Sequence, residues 1–226
     1  MSKVPIITVD GLSGSGKGTV SKMLCTELGW NILDSGALYR TLTFLIDKKE
    51  IDINDFIHKK DEFVKDFEVS FQVGSLGEPV SVFLKEEDIT DLVRTEKIAE
   101  KTSAFSSLKV IRDFIRPCQR AFKQPPGLVA DGRDMGTVIF PEADLKIYLT
   151  ATLEERAKRR GSQLKTHGSE VNMRILLEEL EARDKKDIER ELSPLKPAED
   201  SFLIDTTGLD PEEVLKKVKN LWLNLV

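Results

Sequence analysis

Histidine and cysteine are scarce in this 226-residue chain, with two of each. Neither His58 nor His167 stands in a motif that demands an imidazole, so chemistry built on a histidine base has no support. Cys25 and Cys118 lie far apart in sequence, and both are expected as reduced, largely buried thiols. No apolar run approaches the length of a membrane span, and the first residues lack a signal-peptide pattern. A cytoplasmic location is therefore the expectation. A surplus of positive charge is also missing. The net charge of −5 argues against a general nucleic-acid or membrane-surface binder. No internal repeat or low-complexity segment interrupts the chain. Its length suits one substantial core, or one core with a small insert.

The chain does contain a dense glycine loop. Residues 11–19 read Gly11-Leu12-Ser13-Gly14-Ser15-Gly16-Lys17-Gly18-Thr19, directly after the apolar run Ile6–Val9 and before a helical pattern over 17–28. Glycines let backbone N–H groups converge on an anion, and a helix N-terminus adds favourable partial charge. Lys17 supplies a full positive charge for β- and γ-phosphates. A strand, a loop of this spacing and a helix together read as a nucleoside-triphosphate site. The residue after Lys17 is Gly18, where a Mg²⁺-binding hydroxyl is usual, and the hydroxyl comes at Thr19. Mg²⁺ is accordingly expected to ride on ATP phosphates and water, with Thr19 reaching it through water at most.

Five short β-rich runs, Ile6–Val9, Asn31–Leu33, Leu128–Ala130, Lys146–Leu149 and Phe202–Ile204, read as buried parallel strands. Helical patterns cover 17–28, 37–48, 108–123, 152–165, 171–190 and 210–225. The last opens on an Asp210 cap, Pro211 and two acidic residues. This alternation predicts an α/β fold, a P-loop core with a five-stranded parallel sheet flanked by helices. Residues 68–84 alternate with period two around Gly74–Pro79 and predict an antiparallel hairpin. We read 61–101 as an inserted subdomain and 1–60 with 102–226 as the core; an edge extension of the main sheet is the alternative. Pro117, inside the 108–123 pattern, is expected to kink that helix or end its first half.

Every arginine lies between Arg40 and Arg190. Arg156, Arg159 and Arg160 share one helical face by spacing, and Gly161-Ser162 and Thr166-His167-Gly168 suggest a mobile loop there. That segment, about 154–168, reads either as a lid or as a solvated basic face paired with Glu154 and Glu155. The stripe Leu176, Leu180, Arg183, Asp187, Arg190 turns from apolar to charged along one helix, as a face entering a pocket does, with Asp187 placed to fix its two flanking arginines. Ion pairs along an exposed helix are the plainer alternative. Asp34-Ser35-Gly36-Ala37-Leu38-Tyr39-Arg40 and Asp131-Gly132-Arg133-Asp134-Met135-Gly136 each follow a strand end, where α/β sheets bind ligands.

These motifs, with Gln119-Arg-Ala-Phe122, Glu154-Glu-Arg-Ala-Lys-Arg-Arg160 and Arg183-Asp184-x-x-Asp187-x-x-Arg190, resemble those of the bacterial cytidylate kinases over essentially the whole chain. The resemblance implies transfer of the γ-phosphoryl of ATP to CMP or dCMP with Mg²⁺, by a monomer in need of neither nucleic acid nor membrane. It implies that residues 11–19 hold ATP, and that Ser35, Arg40, Arg133 and Arg190 hold the acceptor's α-phosphate. Tyr39 would line the same pocket. Arg183 and Asp187 would meet the sugar, and Ser103, Arg112 and Asp134 would read the base. Lys17, Arg133, Arg156, Arg160 and Arg190 would stabilise charge during transfer. An aspartate accepting from N4 and an arginine donating to N3 or O2 suit cytosine and not uracil. Two alternatives remain open: another small-molecule kinase, for UMP, AMP or shikimate, and a nucleotide-binding regulator without transfer activity.

Overall fold

The apolar runs pair side by side as predicted, though Phe202–Ile204, expected to be buried, forms an edge strand with Phe202 and Leu203 exposed. In the computed structural model, which describes residues 3–74, 78–166 and 171–225, β1 (Ile6–Gly11) lies at the centre of a five-stranded parallel sheet. The order is β2 (Asn31–Asp34), β6 (Leu128–Gly132), β1, β7 (Leu145–Thr150), β8 (Phe202–Asp205). Ile6 sits opposite Leu128 on one side, and Ile7 opposite Leu145 on the other. This register brings Gly11, Asp34, Gly132 and Thr150 to one carboxyl edge.

Helices cover both faces. On one side α1 (Lys17–Leu28) and α9 (Pro211–Leu223) bury Val20, Leu24, Val214 and Val218 against Val9, Val129 and Ile147. Asp210 and Glu213 close the predicted cap of α9 reciprocally. On the other side lie α2 (Ser35–Lys48) and α6 (Lys109–Ala121). α6 runs unbroken through Pro117. The buried face of α6 carries Ile111, Arg112, Ile115 and Gln119, while Pro117 faces solvent, where its ring meets no packed neighbour and the missing N–H costs least.

Between α2 and α6 come α3 (Ile53–Asp66), β3 (Val69–Gln72), β4 (Ser81–Leu84), β5 (Glu87–Asp88), α4 (Thr90–Val93) and α5 (Glu96–Phe105). β3 and β4 are antiparallel as patterned, with Val69 opposite Leu84, and β5 adds a third strand. Part of the connection, residues 75–77, lies outside the described residues. The expected limits at 61 and 101 fall inside α3 and α5. Phe56, Phe63, Val82 and Ile89 of this region share one apolar cluster with Leu33, Leu38, Leu42 and Ile111 of the main body.

The last helical pair is α7 (Leu153–Thr166) and α8 (Met173–Glu189), packed through Ala157, Leu176 and Leu180. The Gly161-Ser162 step expected in a loop is helical. A Cβ on Gly161 would meet Met173 Sδ at 3.1 Å, so this glycine serves the close approach of α8. His167 and Gly168 of the expected loop lie outside the described residues.

Candidate active site

The glycine loop closes the way its spacing demands. Gly11 has φ 144°, and a Cβ there would fall 2.0 Å from the Leu149 carbonyl oxygen, so only glycine permits β1 to turn here. Gly16 precedes α1 with φ 91°. No side chain caps the helix and no acidic residue occupies its first turn, which leaves its N–H groups for an anion. Lys17 Nζ and Ser15 Oγ both donate to the Leu12 carbonyl, at 2.7 and 2.9 Å. Burial pushes the Lys17 ammonium down from its usual range, with Arg133 acting in the same direction. Burial pushes the Asp131 carboxyl up against the pull of Lys17. An incoming polyphosphate would restore the full charge of Lys17.

Two cavities adjoin at Gly14 and Lys17. One, of about 390 Å³, runs along Gly14–Val20 beneath Arg159, Thr206, Leu209, Pro211 and Val214. The other, of about 260 Å³, holds Ser35, Tyr39, Arg40, Ser103, Arg112, Arg133, Asp134, Arg160, Arg183, Asp187 and Arg190. Thus Ser13 to Thr19 border one or both cavities, whereas Gly11 and Leu12 support the loop from outside them.

The arginines of α7 diverge, which corrects the expectation of one shared face. Arg160 enters the second cavity. Arg159 donates to Thr206 Oγ1 at 2.9 Å and pairs with Glu155. Arg156 lines neither cavity. It is buried, ion-paired with Asp184, and donates to the carbonyls of Ser13 at 3.1 Å and Ala151 at 3.1 Å. A Cβ on Gly14 would press on it at 3.1 Å. In this arrangement Arg156 buckles the loop to the end of β7 and to α8, outside both cavities.

Asp187 holds Arg133, with Nε at 3.0 Å, and Arg190 at 3.8 Å; no hydrogen bond joins it to Arg183, contrary to the expected pairing. Burial works against both charges of the Arg133–Asp187 pair, yet each holds the other ionised: Arg133 is raised and Asp187 lowered. Arg183 is left in the cleft, and loss of water followed by Arg133 and Arg40 lowers it to about 10. Arg40 is lowered too, by burial and then by Arg94, Arg160 and Arg133. Asp134 and Arg112 form a nearly dry ion pair, 4 % and 5 % exposed, and Arg112 also donates to the Ser106 carbonyl at 3.1 Å. Despite Pro117 five residues on, Arg112 is aimed into the site.

Sequence reasoning missed several residues. Asp10 accepts from the N–H groups of Met135 and Gly136 at 2.9 and 2.8 Å, and burial raises it to about 6. Arg94 donates to the Val80 carbonyl beside Arg40. Lys186 donates to Ser103 Oγ at 3.2 Å across the cavity mouth. The wall Thr206–Pro211 had no motif to announce it. Asp10 stood at a strand end and could have been found there, as Asp131 was.

Two cavities thus meet at one lysine, one along the glycine loop and one rich in arginine. The family model described as cytidylate kinase matches residues 7–223. The chain belongs to the cytidylate kinase family. A cytidylate kinase of Stutzerimonas stutzeri is 48% identical over 215 residues, covering 95% of this chain and 93% of that protein. One from Pseudomonas entomophila is 45% identical over 97% of this chain and 96% of its own length. A third, from Pseudomonas syringae pv. tomato, is 46% identical over 96% and 94%. The cytidylate kinase family match therefore spans the glycine loop, both cavities and the region from α3 to α5.

Proposed function

We propose that the protein transfers the γ-phosphoryl of ATP to the phosphate of CMP or dCMP, giving ADP and CDP or dCDP. The observation that carries this reading is the meeting of two cavities at Lys17: a phosphate-loop cavity for the donor and an arginine-rich one closed by the Arg112–Asp134 pair for the acceptor. Adenine lies against Arg159, Leu209 and Pro211. An oxygen of the acceptor phosphate attacks the γ-phosphorus as the bond to the β-bridging oxygen breaks. The acceptor is ionised at neutral pH, so no general base is required. The task is to bring two polyanions together, and it falls to positioning and charge neutralisation.

Lys17 holds the donor phosphates, and Arg133, Arg160 and Arg190 stabilise the charge in transfer. Arg156 acts through the loop it buckles. Ser35, Arg40, Arg133 and Arg190 hold the acceptor phosphate, Tyr39 lines its pocket, Arg183 and Asp187 meet the sugar, and Ser103, Arg112 and Asp134 read the base. The segment from α3 to α5 is the acceptor-binding unit. Mg²⁺ carried by ATP fits the site. The Asp131 carboxylate stands beside the open Cα of Gly18 with no hydrogen-bond partner among the described residues, and Thr19 borders the donor cavity, so both offer oxygen to the ion's water shell. When bound, the ion neutralises phosphate charge.

No helix among the described residues is long and apolar enough to cross a membrane, and the reading places the enzyme in the cytoplasm. A coupled assay with ATP and CMP, dCMP, UMP or AMP tests it. Turnover is expected with CMP and dCMP and far less with UMP and AMP. Preference for another acceptor would overturn the assignment, and ATP binding without turnover of any monophosphate would make the protein a regulator.

A further inference from the structure

We propose that Gln119 is a positioning residue for the acceptor: its side-chain amide sets the Ser35 hydroxyl as a hydrogen-bond donor toward the acceptor's phosphate. The proposal rests on the reading above that Ser35 meets that phosphate. Gln119 sits on the inner face of α6 and is 0% exposed. Its Nε2 donates to Ser35 Oγ at 2.8 Å. Its Oε1 is buried and has no partner among the described residues. Ser35 is the first residue of α2 and borders the acceptor cavity.

A hydroxyl has one proton and two acceptor sites. Ser35 spends one acceptor site on Gln119, and its proton has no acceptor among the described residues. The hydroxyl is thereby committed to donate, and the cavity it borders is the one lined by Arg40, Arg133 and Arg190. With the amide reversed, Oε1 would take that proton, and Ser35 would turn a lone pair toward an anion. The orientation with an unmatched Oε1 is the one that keeps Ser35 useful to a phosphate. Gln119 does this from outside the cavity, so it acts through Ser35 and not on the ligand.

The test is steady-state kinetics on Gln119→Leu, Gln119→Glu, Ser35→Ala and the double variant Ser35→Ala/Gln119→Leu. Gln119→Leu should raise KM for CMP by about tenfold, the size of one hydrogen bond to a charged group. KM for ATP should stay within about twofold on the same grounds, since nothing on the donor side touches Gln119. In the Ser35→Ala background, Gln119→Leu should change nothing further. Gln119→Glu, of nearly the same shape, takes the Ser35 proton and should shift KM for CMP in the same direction. An unchanged KM for CMP in Gln119→Leu overturns the proposal, as does an equal effect with and without the Ser35 hydroxyl. An unchanged KM for CMP in Ser35→Ala alone would overturn the placement of Ser35 on the phosphate, and this proposal with it. If Gln119→Leu fails to fold, Gln119→Glu is judged by the same criteria.

Discussion

Arg112 and Asp134 pair with almost no access to water. Removing one partner strands the other's charge in a dry site, a change that costs on the order of 3–5 kcal/mol in proteins. Asp134→Ala should therefore lower thermal stability and, on the proposed role of Asp134 as the acceptor for N4 of cytosine, also weaken CMP use more than UMP use. Equal kcat/KM losses on the two substrates would mean that Asp134 does not read the base. Asp10 gives a pH dependence. Its carboxyl titrates near 6 when folded, against 3.8 for an unperturbed aspartate, so the folded state binds protons more tightly. The stabilisation is present in full below about 3.8 and is lost as pH rises through about 6, up to roughly 3 kcal/mol. The Tm of Asp10→Asn minus that of the parent should rise between those limits; a flat difference would contradict it. At this scale the sequence disclosed which residues matter more than where they point. Motif spacing marked Lys17, Arg133 and Asp134. The i, i+3, i+4 spacing of Arg156, Arg159 and Arg160 did not separate one that enters a cavity from one that fastens the loop, because the deciding partners, Ser13, Asp184 and Thr206, come from other elements.

Among the elements, α6 shows how a helix tolerates a breaker. Pro117 lies on the outer face while Arg112 and Gln119 project inward. Since an interior proline typically costs about 3 kcal/mol, Pro117→Ala should stabilise the protein by roughly 1–3 kcal/mol with KM for CMP unchanged. Differential scanning calorimetry beside CMP kinetics would check both, and a lower Tm would show that the proline is needed. The parallel strands were legible to within two residues at their ends, because the inner strands of α/β sheets are continuous apolar runs; the edge strand β8, with Phe202 and Leu203 exposed, was found by its β-rich composition and not by burial. The helical pattern over 152–165 stands as α7, but the loop suggested by Gly161-Ser162 does not. Local composition there favours a turn, and the reason for glycine is the approach of α8, a tertiary fact.

In the molecule as a whole, the cationic side chains of Arg40, Arg133, Arg160, Arg183 and Arg190 crowd one cavity of an acidic protein. Burial, and after it repulsion from neighbouring arginines, depresses Arg40 and Arg183. A dianion that occupies the cavity relieves it, so millimolar sulfate should raise Tm above the value in chloride at equal ionic strength. Arg40→Gln should shrink that shift; an undiminished shift would place the ion elsewhere. The α/β class and the hairpin were both legible from periodicity. What the hairpin packs against was not, since a period-two pattern states which side is apolar and not which partner covers it.

Phe56, Phe63, Val82 and Ile89 belong to the same packed interior as Leu33, Leu38 and Ile111. The segment from α3 to α5 is consequently not an accessory hung on a separate core. Excising it would expose apolar side chains of α2 and α6, such as Leu38, Leu42 and Ile111, that now share its cluster. Among the described residues its side chains interlock with those of α2 and α6 in one cluster. Ser103 on α5 and Arg112 on α6, proposed to read the base, stand on helices anchored in that interior, so a drift in acceptor preference would have to be negotiated with the stability of the core.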